Sequence, residues 1–330
     1  MARFTNANAY VALGFESTHG TAVALTQFPY IISADLGETA NHVDAGHVGR
    51  VGGAMYATPQ TGRVAIAPKF VSPLQYNLVG WLFRCFDGTV STTGAGPYTH
   101  VWSPGTSQSF TMDYAPSDAL TESVDITGCK LVEATIKWPF DGIATIETSW
   151  LGLRKTAPAT KTTAVLPTAN EVNGGDLTTL TLGSFNLLVI AQGVDVKLTN
   201  PQIAGGGMRR DANGRLTTEE LTDGSPRMAE ISVPIELTVA EWHDFHDAYV
   251  AVPNPTENDF TLIATDPSTG ETLTIVVRNC SIVASAFPTV SDPSALVRVT
   301  LSLKGRADPP GGDPLWTATL VNGDASPYQT

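Results

Sequence analysis

The chain has 330 residues, 42% of them hydrophobic and only 15% charged, a length that suits about two domains of ~150 residues and a composition that suits strands and turns better than long solvated helices. A net charge of −13 sets the chain against gripping a phosphate backbone, because such affinity comes from Lys and Arg displacing counterions. Membrane spanning and a disulfide framework are excluded too: no apolar run approaches the roughly 20 residues of a spanning helix, and Cys85, Cys129 and Cys280 are odd in number and widely spaced, as in proteins made in a reducing cytoplasm.

In chain order, the start MARFTNANAYVALGF has no basic flank before an apolar run, so it reads as an arm over residues 1–27 rather than a signal peptide. Tyr30–Leu36 alternates as a strand. A Gly-rich segment, 37–62, follows. Arg63–Phe70 reads as a second strand. Ser72 can cap a helix with Pro73 at its first position, and Leu74, Leu78, Trp81 and Leu82 recur at helical spacing. The strand pattern Ile126–Ile136 contains Cys129. Ile143–Leu153 forms the next strand, with Arg154 after it. Lys155–Thr179 is rich in Thr, Ala and Pro and reads as a linker.

The same order then returns. Val194–Asn200 matches the first strand, 202–227 the Gly-rich segment and Met228–Leu237 the second strand. Thr238-Val-Ala-Glu241 is a capping box, with Trp242, Phe245 and Tyr249 as an apolar stripe. Val277–Phe287 contains Cys280, 151 residues after Cys129, and Leu296–Leu303 precedes Arg306. The offset is larger at the helices, which extra residues around 89–108 of the first copy explain. An internal repeat of this kind decides the architecture: domains at 28–154 and 180–306, and a tail at 307–330 that opens with the Pro- and Gly-rich stretch 308–314. The fold class is all-β, two tandem antiparallel domains, each with one helix and long loops between strands, and the family resemblance described below implies that each is a β-sandwich or half-barrel.

No catalytic arrangement emerges. His42, Asp44 and His47 are ligand types without an evident fourth partner. His243 and His246 lie on neighbouring positions of a helix rich in acidic residues. Gly205-Gly-Gly-Met-Arg-Arg210 lacks the Lys-Ser/Thr ending of a phosphate loop, and Asp211-Ala-Asn213-Gly214 lacks the remaining spacing of a calcium loop. Each Cys sits in apolar sequence, as a packed thiol does. The reading is therefore a non-enzyme without cofactor or metal.

The opening Gly14-Phe-Glu16-Ser-Thr-His-Gly20-Thr21-Ala22-Val23 and the order strand, long loop, strand, helix and antiparallel strands ending near Gly-x-Arg resemble the tail tube family of long-tailed phages, over nearly the whole chain and twice over. The resemblance implies sandwich domains whose inner sheets join six to a ring, and rings that stack into a tube conducting DNA. A chain with two copies implies a homotrimeric ring with pseudo-sixfold symmetry. The implied partners are further copies of the chain, the tape measure, tail terminator and baseplate or tip proteins, and double-stranded DNA in passage without specific binding. The implied location is the virion tail, after synthesis in the host bacterial cytoplasm, with no membrane partner. An alternative reading is a tandem sandwich that binds carbohydrate or decorates a virion, for which clustered exposed Trp and Tyr on strands would be the mark.

Two residue sets follow from this resemblance. The polar faces of the alternating strands are candidates for the tube lumen: Ser33, Asp35, Ala65, Ala67, Lys69, Asp195, Lys197, Thr199, Glu230, Ser232 and Glu236. The long segments are candidates for ring stacking, marked by Gly46, Gly49, Gly52, Gly53, Gly206, Arg209, Arg210 and Gly214, since irregular segments of that length rarely occur in a compact domain unless they bind something.

Overall fold

The computed structural model describes residues 9–43, 60–86, 90–115, 122–166, 168, 170–210, 216–224, 226–237, 257–285, 297–307 and 312–325. The first half contains β1 (Tyr10–Glu16), β2 (Ser33–Asp35), β3 (Glu38–Val43), β4 (Gln60–Ile66), β5 (Lys69–Pro73), helix α1 (Gly80–Cys85), β6 (Ser91–Thr93), β7 (Tyr98–Trp102), β8 (Ser109–Ala115), β9 (Glu122–Pro139), β10 (Thr145–Leu151) and β11 (Arg154–Thr160). The second contains β12 (Leu177–Leu182), β13 (Phe185–Asn186), β14 (Gly193–Thr199), β15 (Gln202–Arg210), β16 (Leu216–Asp223), β17 (Met228–Leu237), β18 (Asn258–Thr265), β19 (Thr272–Ser285), β20 (Val297–Lys304) and β21 (Trp316–Asn322). The protein is all-β, and among the described residues the strand pairings are antiparallel apart from one parallel bridge between β4 and β16.

A central sheet runs through both halves. Its order is β2-β5-β10-β9 and then β14-β17-β20-β19, with β9 and β14 paired where the halves meet. A second layer covers one face of this sheet. In the first half it is β1-β8-β9-β11, and in the second it is β12-β18-β19-β21. The long strands β9 and β19 therefore belong to both layers. Each turns from one layer to the other at a residue of positive φ, Gly128 (67°) and Asn279 (47°). Glycine takes that conformation at no steric cost, and Asn tolerates it better than other side chains.

The corner is built alike in both halves. Cys129 donates its thiol hydrogen to the Ile126 carbonyl, and Cys280 to that of Val277. Gly152 N–H donates to Ile66 O at 2.8 Å, and Gly305 N–H to Ala229 O at 2.9 Å. A Cβ on Gly152 would stand 2.4 Å from the Ile126 side chain, and one on Gly305 2.4 Å from that of Val277. These glycines let the chain pass close over the corner, which explains the Gly before each Arg-bearing strand end. The ladders slip at the same place too, skipping Val132 between β9 and β10 and Val283 between β19 and β20. Such a bulge bends the strand and strengthens its twist.

One apolar core lies between the layers, and both halves contribute to it. Phe70, Trp81, Trp102, Trp138, Trp150, Val196, Ile231, Phe260, Leu301 and Trp316 are all buried there. The extra residues of the first half form the β6–β7 hairpin, which pairs with β21 of the second half. Buried His100 on β7 completes the contact, with Nε2 hydrogen-bonded to Asn322 Oδ1 at 3.2 Å and to Asp324 O at 3.0 Å.

Several local readings change. The strand expected over Arg63–Phe70 is two strands, β4 and β5, broken at Ala67-Pro68, where proline supplies no N–H to a ladder. Ser72 and Pro73 do not open a helix: they end β5, opposite Ile146 and Thr145, and α1 begins only at Gly80. Strand pairing outweighs the local preference of a Ser-Pro pair for a helix start. The arm, linker and tail contain β1, β11 and β21, and Val11, Leu13, Trp316 and Leu320 are buried. The segments 37–62 and 202–227 carry hairpins, β3–β4 and β15–β16, which join as a four-stranded sheet where irregular chain was expected. The helix expected after Thr238 lies outside the described residues.

Candidate functional site

The face of the central sheet turned away from the core is polar. Strand alternation produces it. Along β14, Val194, Val196 and Leu198 point into the core, while Asp195, Lys197 and Thr199 point out. Along β17, Ile231, Val233, Ile235 and Leu237 point in, and Glu230, Ser232 and Glu236 out. One cross-strand row reads Ser33, Val71, Glu147, Thr135, Lys197, Glu230, Lys304. A second reads Asp35, Lys69, Ser149, Glu133, Thr199, and a third Thr145, Lys137, Asp195, Ser232, Ser302.

Charge is mixed along these rows. Lys137 Nζ lies 2.7 Å from Glu147 Oε1, and Lys197 Nζ 2.9 Å from Glu133 Oε2. All four side chains are about half exposed, so each pair contributes at most about 1 kcal/mol. The hydrogen bond from Lys197 to Glu133 raises the lysine above its ordinary pKa. Partial burial raises the Asp195 carboxyl; Lys137 opposes the shift and Glu147 adds to it. Thr135, Asp195, Lys197, Glu230, Ser302 and Lys304 line a shallow hollow on this face.

The sheet brings together most of the proposed lumen set: Ser33, Asp35, Lys69, Asp195, Lys197, Thr199, Glu230, Ser232 and Glu236. Ala65 is not among them, since it pairs with Thr39 in the hairpin sheet. Ala67 lies between β4 and β5 and bonds Gly37 O through its N–H at 3.2 Å. Glu133, Thr135, Lys137, Glu147 and Lys304 share the face and were not singled out from sequence. Their period-2 alternation was visible at 133–137, but only pairing with β14 puts β9 beside the others. Of the stacking set, Gly206, Arg209 and Arg210 lie on β15, whose ladder slips between Gly205 and Met208. Gly46, Gly49, Gly52, Gly53 and Gly214 lie outside the described residues, as do Asp44, His47, His243 and His246.

The opening motif has a physical role. Glu16 is 5% exposed, and its carboxylate accepts three hydrogen bonds: from Gly20 N–H at 2.8 Å, Thr111 Oγ1 at 2.9 Å and Gly128 N–H at 2.9 Å. It thus fixes both the 17–20 turn and the corner of β9. In the second half the corner N–H of Asn279 donates instead to Asp259 Oδ1, 3.1 Å away. Asp259 stands on β18 where Thr111 stands on β8.

The described residues form a two-layer β fold whose central sheet presents a broad face of mixed charge. The match of a family model for phage tail tube proteins to residues 6–320 identifies the family: the chain belongs to the phage tail tube proteins, structural components of the virion tail. No curated protein gave a match. Among the described residues no helix is long and apolar enough to cross a membrane.

Proposed function

We propose that the chain builds the tail tube as homotrimeric rings in which each chain supplies two repeats, and that stacked rings conduct double-stranded DNA to the host. The observation that carries this reading is the order of the central sheet. Strands β2-β5-β10-β9 are followed by their counterparts β14-β17-β20-β19, joined edge to edge through β9 and β14. A repeated edge-to-edge joint leaves β2 and β19 as the outer edges, and three chains would supply six repeats. Sharing edges between copies also removes unpaired strands that invite uncontrolled aggregation. Each repeat would take in the flanking strands, β1 and β11 in the first and β12 and β21 in the second, beyond the bounds 28–154 and 180–306. Tape measure, terminator and baseplate or tip proteins would meet the tube at its bore and ends. Electron microscopy and mass measurement of isolated rings test the reading. Tubes and rings of three chains are expected, and rings of six chains would overturn the stoichiometry.

Buried aromatics favour the tube over a carbohydrate-binding module. Trp81, Trp102, Trp138, Trp150 and Trp316 are all packed in the core and offer no face to a sugar.

The polar face of the central sheet would line the bore. Of the nine proposed residues on this sheet, Asp35, Asp195, Glu230 and Glu236 are acidic and Lys69 and Lys197 basic, a balance of −2. A wall of small and mildly acidic side chains keeps DNA from stopping, because basic residues hold phosphates with strong salt dependence. Glu230→Lys with Glu236→Lys should leave tubes intact, since both side chains are only partly buried. DNA ejection should slow, most at low salt, where screening is weakest. Ejection at the native rate in low salt would remove these positions from the bore.

A further inference from the structure

Two carboxylates stand directly opposite each other in the second layer of the first half: Asp113 on β8 pairs with Asp125 on β9. Asp113 is fully buried and Asp125 partly buried. Met112, Val124 and Ile126 pack against the core, so alternation turns Asp113, Ser123 and Asp125 to the other side of the layer. On that side Ala12 of β1 stands opposite Asp113.

The hydrogen bonds of this group are incomplete. Asp113 Oδ2 accepts from Tyr10 Oη at 2.7 Å and from Thr162 N–H at 3.4 Å. Asp113 Oδ1 is shut off from solvent and has no partner. The hydroxyl of Ser123, a residue 3% exposed on the same side of β9 as Asp125, has none either. Burial, and after it the charge of Asp113, raises the Asp125 carboxyl above its ordinary pKa. Lys161 is a neighbouring cation, with Nζ 5.6 Å from the Tyr10 ring centroid. Like charges directly opposite destabilise a sheet, and a buried carboxylate calls for a compensating charge or a proton.

The second half shows that the fold does not need this pair. Phe110 stands opposite Cys129 as Asn258 stands opposite Cys280. Counted on from these, Asp113 and Asp125 fall on Thr261 and Val276, which are directly opposed as well. An uncharged pair serves there.

We infer that Asp113 Oδ1, the Asp125 carboxylate and Ser123 Oγ bind a divalent cation of the calcium or magnesium kind, which ties β8 to β9. The donors are all oxygens, as these hard cations require. Among the described residues no group of three His, Cys, Asp or Glu side chains could hold a metal, so water completes the shell, and affinity is of the order of 10⁻⁴–10⁻³ M, as in weak calcium modules. None of the three residues stands out in the sequence; the pairing of β8 with β9 brings them together. The site does not depend on the tube reading.

Thermal unfolding of the full chain tests it. In about 10 mM calcium or magnesium chloride the midpoint should rise by about 2–4 °C above its value in EDTA. Titration calorimetry with the same ion should count one site per chain. Asp125→Asn should abolish the rise. In EDTA it should also unfold at a higher temperature than the native chain, because it removes the repulsion; a carboxylate serving only as a hydrogen-bond acceptor would give the reverse. Asp113→Thr with Asp125→Val, the pair of the second half, should fold and ignore both ions. A native midpoint unmoved by either ion, or equal rises in the native chain and Asp125→Asn, overturns the site. So does acid acting in place of the ions: if lowering the pH to about 5 brings the native chain level with Asp125→Asn while neither ion moves it, the pair holds a proton and no cation.

Discussion

Glu16→Ala should lower the stability of the chain by about 3–5 kcal/mol, a large share of the margin of a typical domain. The carboxylate is buried and takes hydrogen bonds from Gly20 N–H, Thr111 Oγ1 and Gly128 N–H. Removing it strands the Thr111 and Gly128 donors away from water, and each buried donor left without a partner costs about 1–3 kcal/mol. The loss falls on the corner where β9 changes layers, so the layers on both sides of the first half loosen together. The second half supplies an internal comparison. Asp259 takes the corresponding N–H of Asn279, but its side chain is 38% exposed and water can replace it. Asp259→Ala should therefore cost only about 1 kcal/mol. Urea unfolding of both variants reads the difference directly. Equal midpoints for the two would mean that Glu16 does not secure the corner.

Excision of residues 40–62 together with 205–220 should abolish tube formation while leaving a folded chain. The described residues of these ranges belong to the sheet of β3, β4, β15 and β16, which is separate from the central sheet. Both cuts spare the attachment points, including buried Ile66, whose carbonyl holds Gly152 N–H, and the Ala67–Gly37 bond. Removing both hairpins avoids leaving one with an open edge where Leu216 meets Arg63. If the hairpins carry ring-to-ring contacts, the remaining chain keeps its circular dichroism and its unfolding midpoint but forms no filaments under the microscope. Tubes of ordinary length from this variant would remove the hairpins from stacking.

Much of the central sheet was legible because its rule is local. Alternation along Val194–Thr199 and Met228–Leu237 marks one dry and one wet face, and the pleat then forces the two sets apart. The repeat was legible for a related reason. Each corner needs a residue tolerant of positive φ before a packed thiol, then a glycine where the chain passes over it, and those demands leave Gly128-Cys129 and Asn279-Cys280, Gly152 and Gly305 in the sequence.

What could not be read depends on partners far along the chain. Ser72-Pro73 carries the local marks of a helix start, but β10 is available to pair with it, and it becomes the end of a strand. Residues 10–16 and 316–322 look like ends, yet β1 finds β8, and β21 finds β19 and β7. Glu133, Lys137 and Glu147 alternate as any solvent face does; only the pairing of β9 with β14 sets them beside Asp195 and Lys197. By itself the sequence determined the all-β class and the alternation of the outward faces, because periodicity and composition act within a few residues. The tertiary structure decided the strand order, the joint between the halves and the place of Glu16 beneath the corner of β9, because those rest on contacts between residues far apart along the chain, where burial and hydrogen-bond satisfaction outweigh local preference.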